Sequence, residues 1–277
     1  MESIVVYFSN IPSWQRTALL VSGFLFFWSW ESLTRRKSEF STFEHNRINL
    51  VFWITTLLIN LLFAGTTLWV SFYFSEHKFG LLNLVNMPIF ASAIFGILFL
   101  DFLCIYVPHW LQHQIPFLWR FHLVHHSDPY INVTTALRHH PGEALLRVIA
   151  TLSGVMILGV SPGILLLYQT ISVFFAQSTH ADIRLPSWLD RIFSVVLVTP
   201  EAHKVHHHKH EPFTNMNYGN IFSFWDRLFG TYTRLPSDSI EYGVDALPFS
   251  KEREASEVRL MLLPIQLEKE ESLKSGS

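Results

Sequence analysis

Residues 48–74 read INLVFWITTLLINLLFAGTTLWVSFYF, 27 positions without a charged side chain. The hydrocarbon core of a bilayer takes about 20 helical residues, so this run crosses with room to tilt. An uncharged run of this length would be unusual in a soluble core, and it decides for a membrane-embedded chain. Four more apolar runs flank it. Residues 17–33 are short for a span and interrupted by Glu31; residues 87–107 carry one charge, Asp101. Residues 144–160 hold Arg147 near their first end, where its stem can snorkel. Residues 163–176 follow Ser161-Pro162, a pair that suits a tight helical hairpin.

Composition agrees. Of 277 residues, 49% are hydrophobic and 15% charged, against about a quarter charged in soluble chains. High apolar content and a single cysteine, Cys104, exclude intrinsic disorder and a disulfide scaffold. A net charge of −2 offers phosphates no general attraction, which argues against nucleic acid as a partner. The N-terminus carries Glu2 and Arg16 without a basic leader or a small-residue cleavage site, so no signal peptide is expected.

Orientation follows from the loops. Arg35, Arg36, Lys37 and Arg47 lie between the first two runs, and the positive-inside rule places them in the cytoplasm. The chain then crosses out, turns at 76–80 and returns, so residues 109–140 are expected inside. The hairpin of the last two runs brings His180 and residues 203–210 to the same side. Parity therefore delivers every histidine cluster to one face.

Thirteen of the fifteen histidines fall between His109 and His210, which needs a reason. His109 and His113 form an HxxxH; His122, His125 and His126 form an HxxHH; His203, His206 and His207 form another; His180 stands alone. Positions i, i+3 and i+4 share a helix face, so each group can aim two or three imidazoles at one place. One HxxxH arises by chance; this set, all at predicted span ends, does not. Nine imidazoles exceed the four ligands of zinc or the six of an octahedral ion and suit two metals. Ligand type leaves Zn, Cu, Fe and Ni open. No HExxH occurs, which disfavours a metalloprotease. A transporter would place polar groups near the bilayer midplane, whereas these histidines sit at span ends with only Asp101 deeper. A redox metal pair facing apolar substrates is the remaining use, with a non-catalytic metal-binding or metal-transport membrane protein as the alternative.

The motifs LWRFHLVHHSD (118–128), TALR (135–138), His140-Pro141, HADIRLP (180–186), TPEAHKVHH (199–207), NYG (217–219) and WDRLFGT (225–231) continue the pattern. Over roughly residues 101–232 the chain resembles the membrane fatty acid hydroxylase/sterol desaturase superfamily, bacterial members with alkylglycerol-monooxygenase-like motifs in particular. Two positions depart from the family pattern. Trp110 stands where an arginine is usual, and Asp101 lies one residue further from His109.

The resemblance implies an all-α integral membrane bundle of about four to five spans under a cytoplasmic helical cap with a histidine-rich dimetal site. It divides the chain into membrane spans (1–86), a catalytic domain (87–235) and a polar tail (236–277), whose apolar patch at 260–263 is expected in a solvated, partly ordered segment. It implies two irons on His109, His113, His122, His125, His126, His180, His203, His206 and His207, with zinc able to replace iron in purified protein. The expected reaction uses O₂ to hydroxylate, or desaturate, a C–H bond of a lipid, fatty-acyl or sterol-like substrate. The expected location is a bacterial inner membrane, or the endoplasmic reticulum in a eukaryote. His140 is read as facing the ligands or the substrate. Asp128, Asp182, Glu143 and Asp226 either accept the free N–H of a ligating imidazole or form surface ion pairs. His139, His208 and His210 are expected solvated or structural; His45 and His77 are placed in loops without a role. O₂ chemistry of this kind needs external electrons, and the chain shows no GxGxxG, iron–sulfur cysteine set or haem-attachment motif. A separate donor, a ferredoxin or a small b-type cytochrome with its reductase, is expected.

Overall fold

The computed structural model describes residues 2–34, 42–244 and 256–275; the basic triplet Arg35, Arg36 and Lys37 lies outside them. The described residues are helical, without a strand and with isolated bridges at Leu197–Phe222 and His208–Tyr242. Helices α1 (Glu2–Ser9) and α2 (Ser13–Thr34) precede a long α3 (Thr42–Glu76). Helix α4 (Ile89–Asp101) runs through a widened stretch, Phe102–Tyr106, into α5 (Val107–Gln114). Then come α6 (Pro116–His126), α7 (Pro141–Leu158), α8 (Pro162–His180), α9 (Ser187–Phe193), α10 (Pro200–His206), α11 (Phe224–Phe229) and α12 (Glu257–Ser275).

Three stretches are long and apolar enough to cross a membrane: Phe43–Asn83, Ile89–Gln114 and Pro141–Leu158. The runs at 17–33 and 163–176 become α2 and α8, which pack side by side. Phe27 and Phe174 meet at 5.1 Å between ring centroids, and Gln177 Nε2 donates to the Leu20 carbonyl at 3.1 Å. The expected hairpin is present. Gly159 ends α7 in the left-handed region at φ 71°, and Pro162 opens α8, the usual glycine-out, proline-in asymmetry. A Cβ on Gly159 would lie 1.8 Å from the Phe79 carbonyl oxygen, so only glycine fits. Asn83 Nδ2 donates to the Gly159 carbonyl and Ser71 Oγ to that of Val160, which ties the hairpin to α3 and the turn after it. Leu100, Val155, Leu165 and Tyr168 are buried where α4, α7 and α8 meet. Between helices in lipid, the gain comes from close packing rather than removal of water.

The 35 residues of α3 span about 52 Å, roughly 20 Å more than a hydrocarbon core. Its first turns lie on the side of the histidines, where Asn49 Nδ2 donates to Thr134 Oγ1 at 2.9 Å. His45 sits there, in a helix rather than a loop, and is buried because its ring meets Asp128. The patch at 260–263 also departs from expectation. Leu260 and Leu263 are fully buried against Ile48, Phe52, Leu123 and Val124, so α12 docks on α3 and α6 instead of trailing in solvent. Two leucines one turn apart fill the notch between those helices, which a solvated tail would leave open.

The widened stretch has a consequence for the first histidine box. In a regular α-helix, eight residues leave Asp101 and His109 about 80° apart around the axis. The i→i+5 winding of Phe102–Tyr106 takes up one extra residue and returns most of that angle. Asp101 accepts hydrogen bonds from the Ile221 and Phe222 amides, 3.3 Å each, and so ties the segment before α11 to the end of α4.

Candidate metal centre

Each histidine-bearing helix is set by local chemistry. Pro116 and Pro200 occupy first-turn positions of α6 and α10, where a missing amide costs nothing. Thr199 caps α10 by accepting from the Ala202 amide and donates its own hydroxyl to Asp190 at 2.6 Å. Asn217, at φ 56°, grips the Ala202 carbonyl through Nδ2 and exchanges hydrogen bonds with Thr233.

The nine predicted imidazoles converge, in two adjoining sets. His109, His113, His122, His126 and His206 form one; His125, His180, His203 and His207 form the other, with nitrogens within 4.8 Å of one another in each. The boxes do not act as units. His122 and His126 enter the five-membered set while His125 enters the other; His203 and His207 enter the four-membered set while His206 crosses to the first. Rings of the two sets touch: His126 stacks on His207 at 4.7 Å.

The Nε2 atoms face each other at short range. His180, His203 and His207 form a triangle with edges of 3.0, 3.2 and 3.3 Å, and His125 Nε2 lies 3.1 Å from that of His180. In the first set, His122 Nε2 is 3.0 Å from His109 Nε2 and 3.2 Å from His126 Nε2. A neutral imidazole has one N–H, so such a triangle cannot be closed by hydrogen bonds. Ligand nitrogens about 2.1 Å from a shared ion would lie roughly 2.9–3.4 Å apart, which is the spacing found. His113 Nε2 and His206 Nε2 are buried without a hydrogen-bond partner. Burial, then neighbouring imidazoles, hold His125, His126, His203, His206 and His207 well below the usual histidine range, so each is neutral with a lone pair to offer. The donor set fits two metal ions.

Outer contacts fix the tautomers. His109 Nδ1 donates to the Tyr218 carbonyl, His206 Nδ1 to that of Met216 and His180 Nδ1 to that of Ala176, each at 2.7 Å. His122 Nδ1 donates to Glu143 Oε1 at 3.1 Å, and His113 Nδ1 meets Asn215 Oδ1 at the same distance. Glu143 Oε1 also lies 3.0 Å from His139 Nδ1, while Arg147 donates to His139 Nε2 at 2.9 Å. His139 is thus a buried neutral bridge, stacked on His125 at 4.6 Å. A cavity of about 50 Å³ is lined by His122, His125 and His180 of the two sets together with Cys104, Pro108 and Ala176. Its volume matches a few water-sized molecules.

The other expected residues sit elsewhere. Asp128 touches none of the nine imidazoles. It accepts from His45 at 2.8 and 2.9 Å, from Thr135 Oγ1 at 2.7 Å and from the Tyr130 amide. Burial raises its pKa, but His45 and Arg138 outweigh that and bring it to about 2. Asp182 is half exposed and pairs with Lys204 at 3.3 Å. Asp226 accepts from the Tyr218 and Gly219 amides and from Thr231; it thereby holds the carbonyl on which His109 rests. His140 caps α7 by accepting from the Gly142 amide, and its Nε2 donates to the Met261 carbonyl of α12, away from both sets. Trp110, where an arginine was expected, is exposed.

Sequence reasoning missed several supports. His45 and Asn49 brace the 128–138 segment from α3. Arg138 donates to the Val124 carbonyl, Ser127 Oγ and Asn49 Oδ1, pinning the last turn of α6. Glu31 is buried and accepts from the Val133 and Asp182 amides, joining α2 to two segments of the site. Its signal was present: a carboxylate inside an apolar run is costly and calls for partners.

A family model for fatty acid hydroxylases matches residues 93–231, half of the chain. The ornithine lipid hydroxylase OlsE of Rhizobium tropici is 31% identical over 153 residues, 55% of this chain and 45% of that protein. The alkylglycerol monooxygenase of Caenorhabditis elegans is 32% identical over 142 residues, 50% of this chain and 26% of the relative. The human cholesterol 25-hydroxylase is 26% identical over 152 residues, 54% and 53% of the two chains. The chain therefore spans about half, or less, of the length of these relatives. No solved structure matches it.

Proposed function

Because the chain belongs to the fatty acid hydroxylase family, we propose that it is a membrane-bound di-iron oxygenase that hydroxylates a C–H bond of a lipid. The observation that carries this reading is the pair of adjoining sets of neutral imidazoles, five and four, at the end of a helical bundle. Bound iron supplies the chemistry of O₂ reduction and C–H oxidation, and zinc can take its place in protein purified in air. The relatives are an ornithine lipid hydroxylase, an alkylglycerol monooxygenase and a cholesterol 25-hydroxylase by name, which favours hydroxylation over desaturation.

The chain's own residues hold and shape the site. Glu143, Asn215 and the carbonyls of Tyr218, Met216 and Ala176 accept the Nδ1 protons and leave Nε2 free to ligate. The cavity beside Cys104 and Pro108 has room for the reacting end of a chain, which in this reading enters from the bilayer. Its apolar wall keeps water from the reacting carbon. Residues 87–235 form the catalytic unit, with α6 and α9–α11 as a cap on the cytoplasmic face. In this reading α2 and α8 join the stretches Phe43–Asn83, Ile89–Gln114 and Pro141–Leu158 as spans. The electrons come from a separate ferredoxin or b-type cytochrome.

The test is lipid mass spectrometry of membranes with and without the protein, supplied with iron, O₂, NAD(P)H and a ferredoxin or cytochrome b₅ system. A new lipid alcohol that needs both O₂ and the redox partner supports the reading. Two bound ions with metal flux across sealed vesicles and no oxidised lipid would favour a transport role instead.

A further inference from the structure

Helix α8 serves two places at once. Ala176 and His180 face the histidine sets. A different face of the same helix, with Leu167, Ile171 and Phe174, forms an apolar groove of about 600 Å³ against Leu19, Gly23 and Phe26 of α2. From Leu167 to Gln177 the groove runs ten residues, about 15 Å, half the ~30 Å hydrocarbon core. That is the depth of one leaflet, and hence of one alkyl chain.

The end of the groove is polar. Ser22 and Thr170 also line it, but their hydroxyls donate to carbonyls of their own helices, Leu19 and Leu166. Gln177 is different. Its side chain is 5% exposed, and its Nε2 donates to the Leu20 carbonyl, which sets the orientation of the amide. Its Oε1 is left buried without a partner. A Cβ on Gly23 would come within 2.8 Å of that oxygen, so the bare backbone at Gly23 is what leaves the Gln177 amide its place in the wall of the groove. An unmatched carbonyl in apolar surroundings is costly, and a donor on a bound molecule relieves the cost.

We propose that the groove between α2 and α8 binds one alkyl chain of a lipid whose head bears a hydroxyl or amide N–H beside the chain, donated to Gln177 Oε1. The chain fills the apolar length, and the donor selects among lipids with the same chain. The site lies apart from the histidine sets, with the lipid head one helical turn along α8 from His180.

Photolabelling in membranes containing the full protein tests this. The probes are a diazirine-bearing N-oleoylethanolamine, which offers amide and hydroxyl donors, and a diazirine-bearing methyl oleate, which offers none. Mass spectrometry should find the 167–177 segment labelled by the first about fivefold to tenfold more than by the second, the worth of one hydrogen bond. Gln177→Leu should bring the two probes level, and Ile171→Trp should remove labelling by both. Equal labelling of the unaltered protein by both probes, or labelling indifferent to Ile171→Trp, would mean bulk lipid alone and overturn the proposal. Labelling requires no turnover and should persist in metal-stripped membranes, so its outcome is separate from that of the hydroxylase reading.

Discussion

In the five-imidazole set, four Nδ1 atoms have partners: the Tyr218 carbonyl behind His109, Asn215 behind His113, Glu143 behind His122 and the Met216 carbonyl behind His206. In the four-imidazole set this holds for His180 alone, through the Ala176 carbonyl; the Nδ1 atoms of His125, His203 and His207 have no hydrogen-bond partner. Rings of the second set are held instead by stacking, His125 on His139 and His207 on His126. Hydrogen bonds behind a ligand fix its tautomer and raise its basicity, whereas stacking fixes only its plane. One site is thus braced with a ligand to spare, and the other is minimal and less constrained. Ligand loss should hurt the second site more, and loss of outer support the first.

The largest expected effect is ligand removal. His207→Ala leaves three imidazoles in the minimal set and should lose turnover together with one of two ions per chain. His113→Ala leaves four in the braced set; turnover should again be lost while both ions stay. Elemental analysis of both variants decides, and equal ion loss in the two would erase the difference between the sets. Next in size is Glu143→Gln, which replaces the carboxylate behind His122 and beside His139 by an amide. Loss of such a partner typically costs 10–100-fold in metal affinity. Chelator competition should show that loss at one of the two ions. A uniform loss at both would mean that Glu143 serves the whole site through His139.

Much of this arrangement was legible in the sequence, and the rest was hidden for identifiable reasons. The i, i+3, i+4 spacing at His122–His126 and His203–His207 marks convergent imidazoles, because helical geometry alone dictates it. That each box divides between two sets depends on how α6 and α10 are rotated against each other, which no local spacing records. His45 and Glu31 are single residues whose partners Asp128 and Val133 lie 83 and 102 positions away. Each lacks a pattern to read. The extra residue between Asp101 and His109 was visible, but its absorption in an i→i+5 stretch is a property of the folded helix. Leu260 and Leu263 gave a patch too short to distinguish docking from solvation.

Asp128 offers a control that should not discriminate between the sets. It follows the last turn of α6, which carries His125 and His126 into different sites, so weakening it loosens both. Its carboxyl is held at about 2, against about 3.9 in an unfolded chain. A depressed carboxylate contributes stability fully present above the unfolded value and lost as pH falls toward the folded one. Asp128→Asn should therefore cost about 2 kcal/mol at neutral pH. Melting temperatures of variant and unaltered protein in nanodiscs should differ above pH 5 and converge as the pH approaches 2. A gap independent of pH would assign the effect to lost packing rather than to the charge.

The smallest expected effect is also the most specific. Asn215 reaches the braced set through one contact, 3.1 Å from Oδ1 to His113 Nδ1, and it lies on the short turn after α10. Asn215→Ala removes the acceptor, and a hydrogen bond of this kind is worth about 1 kcal/mol, or roughly fivefold in affinity. Four other imidazoles remain in that set, so occupancy at saturating metal should be unchanged and the loss should appear as faster release of one ion. Asn215→Asp, which keeps an acceptor in place, should restore slow release. The unbraced His203 provides the comparison: its Nδ1 has no partner to lose, so substitutions around it should act through packing and answer to volume rather than to hydrogen-bonding capacity. If Asn215→Ala left both ions releasing at their original rates, the contact would be incidental. Bracing of the five-membered set would then rest on Glu143 and the backbone carbonyls alone.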